Sequence, residues 1–274
     1  MRTIAVINAK GGSAKTTTAL CLAVGLAGRG RRTLLVDADA QGNASMTMLD
    51  GAAADPPTLG DVLLDRATAD EAIRPTRVDG LDVLPADAGL ADAALLLADR
   101  IGREHRLRGA LGGLDGRYDA VVIDCPPQTS LVVVNVLAAV AELVVPVDAG
   151  IYSVAGLGQL QGTVDQVRRY LGNPALRIAG LLLTRTHNNK ATRDIAAQMR
   201  AAFGPLVYAA SIPHSVRVEE AHARNRTVIE FDPKSAPARA YVAFIDEVIG
   251  HGPSAEGNHA AVRTDPAHAA AGVG

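Results

Sequence analysis

Lysines, glycines and threonines crowd into one short segment, Ala9-Lys10-Gly11-Gly12-Ser13-Ala14-Lys15-Thr16-Thr17-Thr18. An apolar run precedes it and a helical pattern follows. Glycines let successive backbone N–H groups point inward and cradle an anion. A helix that starts at the same place adds its partial positive charge. In such a loop Lys15 reaches the β- and γ-phosphates of a nucleotide, and the Thr16 hydroxyl ligates Mg²⁺. Residues Lys10 to Thr17, including Gly11, Gly12, Ser13 and Ala14, are therefore the candidate phosphate-binding stretch. The spacing departs from the ordinary G-x-x-x-x-G-K-[ST] pattern. Ala14 occupies a position where glycine is commoner, and an extra lysine, Lys10, precedes the glycines. A Cβ at a site needing positive φ costs roughly 1–2 kcal/mol, which leaves the turnover rate open.

Carboxylates stand at the ends of two further apolar runs. Leu34-Leu35-Val36 leads into Asp37-Ala38-Asp39-Ala40-Gln41-Gly42-Asn43, which places two acids at the tip of a buried strand. Val121-Val122-Ile123 leads into Asp124, the pattern of a Walker B strand, whose Asp holds Mg²⁺ through water. Cys125-Pro126-Pro127 follows as an adjoining switch, where a γ-phosphate contact is made and lost.

These groups need strands to aim them. Apolar runs at 3–8, 33–37, 81–85, 120–124, 143–147, 178–184 and 206–208 read as strands. Several are continuous rather than alternating, as strands buried on both faces are. Helical patterns fill the gaps at 16–28, 91–111, 154–171, 192–203 and 236–249. The rhythm predicts a single α/β P-loop NTPase domain over 1–250. Its sheet is mostly parallel and twisted, with helices on both faces. Residues 51–60 read as an excursion within it. Apolar residues make up 48% of the 274, Trp is absent and Phe occurs three times, so the core is aliphatic. The last 24 residues, 251–274, lack Ile, Leu, Met, Phe, Tyr and Trp and read as a disordered tail. The two cysteines, Cys21 and Cys125, lack metal-ligand spacing and suit a reducing cytoplasm. Neither a signal peptide nor a membrane-spanning run is expected.

The variant loop resembles the deviant Walker A motif, K-G-G-x-[GA]-K-[ST], of the ParA/MinD superfamily. The stretch from Asp37 to Asn43 resembles that family's D-x-D-x-Q-G-N, with Ala40 where Pro is usual. Val145-Pro146-Val147, Ala155-Gly156-Leu157, Leu182-Leu183-Thr184, Ile212-Pro213-His214-Ser215-Val216-Arg217 and Phe231-Asp232-Pro233-Lys234-Ser235 extend the likeness over about residues 3–249. Together they resemble the ParA/Soj branch of chromosome- and plasmid-partition ATPases.

That resemblance implies ATP and Mg²⁺ as cofactors, and two subunits that sandwich two ATP molecules. By it, Asp39 positions the attacking water, Asp37 supports the Mg²⁺ and water network, and Lys10 reaches the phosphates held by the partner. Adenine is read near Pro213, with Thr184 and Arg185 close by. The resemblance also implies non-specific DNA binding, a ParB-like activator and a place on the nucleoid.

The charge distribution bears on DNA. The chain carries −2 overall, yet residues 185–239 hold nine Lys/Arg against five Asp/Glu. Lys190, Arg193, Arg217, Arg224 and Arg226 are the candidate DNA contacts. Rival readings share the nucleotide motifs. A membrane-positioning ATPase of the MinD type needs a C-terminal amphipathic helix, which the tail composition does not provide. A nitrogenase-reductase-like protein needs cluster cysteines, and neither Cys21 nor Cys125 is placed for that. A nucleotide-binding scaffold with little turnover remains, with Ala14 as its motive.

Overall fold

The computed structural model describes residues 1–128, 130–148 and 153–250. Eight strands alternate with twelve helices among them. The strands are β1 (Arg2–Val6), β2 (Thr33–Asp37), β3 (Arg74–Pro75), β4 (Leu81–Leu84), β5 (Ala120–Asp124), β6 (Glu142–Asp148), β7 (Arg177–Thr186) and β8 (Val207–Pro213). The helices of the first half are α1 (Lys15–Ala27), α2 (Asn43–Met48), α3 (Leu59–Leu63), α4 (Ala69–Ala72), α5 (Gly89–Leu97) and α6 (Arg106–Gly112). Those of the second half are α7 (Leu131–Ala139), α8 (Ser153–Tyr170), α9 (Lys190–Phe203), α10 (Val216–His222), α11 (Val228–Phe231) and α12 (Ala236–Gly250).

The strands form one sheet in the order β3-β4-β2-β5-β1-β6-β7-β8. Every pairing is parallel except β3 with β4. This is the α/β fold that the strand–helix rhythm predicts. Successive side chains of a strand point to opposite faces. Ile4, Val6 and Leu35 accordingly join a core with α1, α2, α11 and α12, while Ala5, Ile7, Leu34 and Val36 join one with α3 and α5–α8. Because both faces are covered, the strands read as unbroken apolar runs. At the β8 edge the Glu247 carboxylate accepts from the amides of Ala209 and Ala210, both at 2.7 Å, which blunts an edge strand.

Two readings of the middle of the chain need correction. The helix expected over 91–111 is two helices, α5 and α6. Between them Gly102 takes φ +69, and Ile101 lies 95% exposed. Asn135 of α7 fills the break: it donates to the Arg103 carbonyl at 2.7 Å and accepts from the Leu107 amide at 3.2 Å. The second correction is α7 itself, which was not expected. Leu131-Val132-Val133-Val134 shows no 3.6-residue period because α7 is buried almost all round. The tail expected at 251–274 lies outside the described residues, among which no helix is long and apolar enough to cross a membrane.

Candidate nucleotide site

Parallel register brings the motifs to one edge. Val6 pairs with Asp124, and Asp124 with Asp37 on its other side. Asp148 pairs with Thr184, and Thr186 with Pro213. All these residues lie at or near strand ends on the carboxyl edge of the sheet, where open α/β sheets bind ligands. A cavity of about 420 Å³ opens there, lined by Gly11, Gly12, Lys15 and Thr16 of the loop and by Pro213, Glu219 and His222.

The loop is tied from within. The Lys10 carbonyl accepts from Ser13 Oγ at 3.1 Å and from Lys15 Nζ at 3.2 Å. Ala14 lies in the left-handed region at φ 65, ψ 32 and opens α1. Its Cβ therefore bears the cost expected of that position. From outside, Thr184 Oγ1 donates to the Ser13 carbonyl at 3.2 Å and Arg185 to the Gly12 carbonyl at 3.1 Å. Thr184 and Arg185 thus clamp the loop, and Pro213 lines the same cavity. Lys15 is buried, and that burial holds its pKa below the usual lysine value, opposed first by the charge of Asp124. An incoming phosphate relieves this by supplying the missing counter-charge.

Asp124 is 1% exposed, and neither carboxylate oxygen has a hydrogen-bond partner among the described residues. Burial, then the charge of Asp37, pushes its pKa well above the carboxylate range, with Thr16 and Lys15 acting in the opposite sense. A buried, unsatisfied carboxylate is costly unless it is neutralised or meets a cation. Asp124 beside the Thr16 hydroxyl fits Mg²⁺, a hard ion that takes oxygen ligands.

Asp37, expected with Thr16 and Asp124 at the metal, is already engaged. Its Oδ2 accepts from Ser45 N at 2.8 Å and Ser45 Oγ at 2.7 Å, and its Oδ1 accepts from Asp39 N at 3.1 Å. Burial raises its pKa to about 6 against those bonds. It fixes the turn that carries Asp39, and Asp39 lines the cavity.

Lys10 points elsewhere. Its Nζ meets Asp148 Oδ2 at 3.0 Å, and its side chain is 55% exposed. It lines a second cavity of about 380 Å³, with Asn8, Pro126 and Leu157, instead of the one its own loop encloses.

Sequence reasoning missed Ser45, His222 and Glu219. Nε2 of His222 lies 3.3 Å from Thr17 Oγ1. Burial lowers the His222 pKa, with Glu219 opposing. Ala221-His222-Ala223 matches no motif, and only helical spacing from the Pro213 stretch carried a signal.

The five basic candidates divide into two groups. Lys190 and Arg193 are exposed on the first turn of α9, where Arg193 donates to Asn188 Oδ1 at 3.1 Å. On α10 and just beyond, Arg217 pairs with Glu220 at 2.8 Å and Asp232 at 3.5 Å. Arg224 stacks over Phe231 at 5.0 Å, and Arg226 pairs with Asp50 at 2.5 Å. The His187 and His214 rings, stacked at 5.0 Å, join the loops that lead into α9 and α10.

Comparison with known proteins agrees with this geometry. Residues 1–178 match a family model described as an AAA domain. The chromosome partitioning protein ParA of Caulobacter vibrioides is 41% identical over 91% of this chain and 94% of its own length. The sporulation initiation inhibitor Soj of Bacillus subtilis is 38% identical over 91% and 98%. Cobyrinic acid a,c-diamide synthase from Mycobacterium smegmatis, solved with ADP and magnesium, superposes with a TM-score of 0.79 at 33% identity. That match covers 93% of this chain and 97% of the other.

Proposed function

The chain belongs to the ParA/Soj family of partition ATPases, and from that premise we propose that it is a dimerising nucleotide switch acting in DNA segregation. As an ATPase of this family it takes ATP and Mg²⁺. The observation that carries the switch reading is the direction of Lys10. Its Nζ is held on Asp148, outside the cavity formed by its own loop. A lysine so placed serves the phosphates of a facing subunit, where it stabilises transition-state charge only once the dimer exists. Hydrolysis and dimer state are then linked.

The remaining roles follow from position. Lys15 and the loop amides hold the β- and γ-phosphates. Thr16 and Asp124 would hold Mg²⁺, which would neutralise charge developing on the phosphates. Asp37 orients the turn that carries Asp39, and Asp39 positions the attacking water. Intrinsic turnover is slow, below the ~1–10³ s⁻¹ typical of enzymes, because a switch must persist to be read. In the ATP state the dimer binds DNA without sequence preference and resides on the nucleoid, and a ParB-like partner accelerates hydrolysis. The left-handed Ala14 favours a second reading, a nucleotide-binding scaffold with little turnover.

Light scattering with a non-hydrolysed ATP analogue and Mg²⁺ tests the first reading. A dimer is expected, with a monomer in ADP. Lys15→Ala should lose nucleotide binding, whereas Lys10→Ala should bind but lose turnover. A monomer at saturating analogue overturns the switch. Phosphate release that stays at background with DNA present selects the scaffold.

A further inference from the structure

We propose that Glu219 and His222 form the ribose-reading wall of the nucleotide cavity, a reading that rests on the ATP site proposed above. The two residues stand three apart on α10, so they share one helix face. Both line the same cavity as Gly11, Gly12, Lys15 and Thr16.

Three observations point to the part of the nucleotide they meet. Thr17 follows the Mg²⁺-binding Thr16 in the first turn of α1, at the inner end of the phosphate cradle. His222 Nε2 lies 3.3 Å from Thr17 Oγ1, so the imidazole stands where the phosphate chain gives way to the sugar. Ile212, Pro213 and Val218 supply the same cavity with apolar lining that suits a flat base.

Glu219 is the group this position needs. It is exposed, and no cation stands within ion-pair distance of it among the described residues, whereas its neighbour Glu220 is taken by Arg217. A carboxylate beside phosphates is repelled, but at the sugar it meets two hydroxyl donors. Carboxylates accept strongly from such hydroxyls, as they do in dinucleotide sites. His222 acts as a positioning residue. Held at Thr17, it fixes the α10 face that presents Glu219, and its ring closes the wall between sugar and phosphate. Glu219 in turn opposes the loss of the His222 proton.

The test is calorimetry on the full chain with Mg²⁺, comparing ADP with 2′,3′-dideoxyADP. ADP avoids both hydrolysis and the dimer equilibrium. The intact chain should bind ADP roughly tenfold more tightly, the value of one hydrogen bond to a charged group. Glu219→Ala should bring the two ligands to within about twofold by weakening ADP alone. His222→Ala should narrow the same ratio. A loosened fold would weaken both ligands together and leave the ratio unchanged. Equal binding by the intact chain, or a ratio untouched by Glu219→Ala, overturns the inference while leaving the nucleotide site standing. A ratio untouched by His222→Ala removes that residue from the wall. Failure of the intact chain to bind ADP overturns the nucleotide site and this inference with it.

Discussion

Asp124 is buried for a task that the chain's own contacts do not reward. Its oxygens have no partner among the described residues, and Asp37 lies beside it on the neighbouring strand. Both acids are pushed upward by burial. The folded chain therefore holds these protons more tightly than the unfolded one. The Asp37 contribution is therefore full below its ordinary value of 3.8 and is lost as pH rises through about 6. Asp124→Asn should accordingly raise the melting temperature of the nucleotide-free chain by a few degrees, equivalent to roughly 1–2 kcal/mol. The gain should grow with pH as the parent loses its proton. The same variant should lose Mg²⁺-dependent phosphate release by about 100-fold or more. Thermal melts at pH 5 and pH 8, paired with phosphate release, check both halves. A variant that is less stable at pH 8 contradicts the account. Lys15 and Asp124 were legible because each sits in a local pattern whose spacing is its function. His222 and Ser45 were not, because their partners Thr17 and Asp37 lie 205 and 8 residues away in the chain and are met only in three dimensions.

Helix α1 shows what an element needs beyond its own pattern. Every residue from Thr17 to Ala27 is buried, so its apolar side chains mark no single face. Its fit depends on Gly25. A Cβ added there would lie 2.2 Å from Cδ1 of Ile245 on α12. Glycine inside a helix normally costs about 0.5–1 kcal/mol relative to alanine, so its presence reflects the close approach of α12. Gly25→Val should destabilise by roughly 1–3 kcal/mol through overpacking. Adding Ile245→Ala should recover part of that loss, and urea denaturation of the single and double variants measures the coupling. A Gly25→Val chain as stable as the parent would show that α12 yields freely. The same dependence on tertiary partners explains which elements the sequence conveyed. β2 and β5 were legible because a short apolar run bounded by charge has one reading. α7 was hidden because its β-branched run is equally good as strand or buried helix. The α5–α6 break was hidden because Asn135, 28 residues away, supplies the bond that starts α6.

At the scale of the molecule, the sheet sets nucleotide and basic surface side by side. β7 ends at the phosphate loop through Thr184 and Arg185, and the chain then runs through His187 into α9 with Lys190 and Arg193. A change at the loop is thus a few residues from a candidate DNA surface. The ion pairs revise how that surface is weighted. Arg217 and Arg226 already face carboxylates, so each must leave one before it neutralises a phosphate. Lys190 and Arg193 make no ion pair among the described residues. Lys190→Glu should therefore weaken DNA binding by the ATP-loaded dimer more than Arg226→Glu does. Arg217→Glu should fall between them, since it also places a third acid beside Glu220 and Asp232. All three variants should keep ATP affinity almost unchanged and act alike on every sequence, because backbone contacts position a protein without reading bases. Salt gives the count. Two phosphates neutralised per subunit, four per dimer, predict that log K falls with log[salt] at a slope of about −4. If Arg217 opens and joins, six phosphates move the slope to about −5. A salt titration of labelled duplex against the parent and the three variants distinguishes these values. Salt-insensitive binding, or binding as tight without ATP as with it, would separate the basic surface from the nucleotide site altogether.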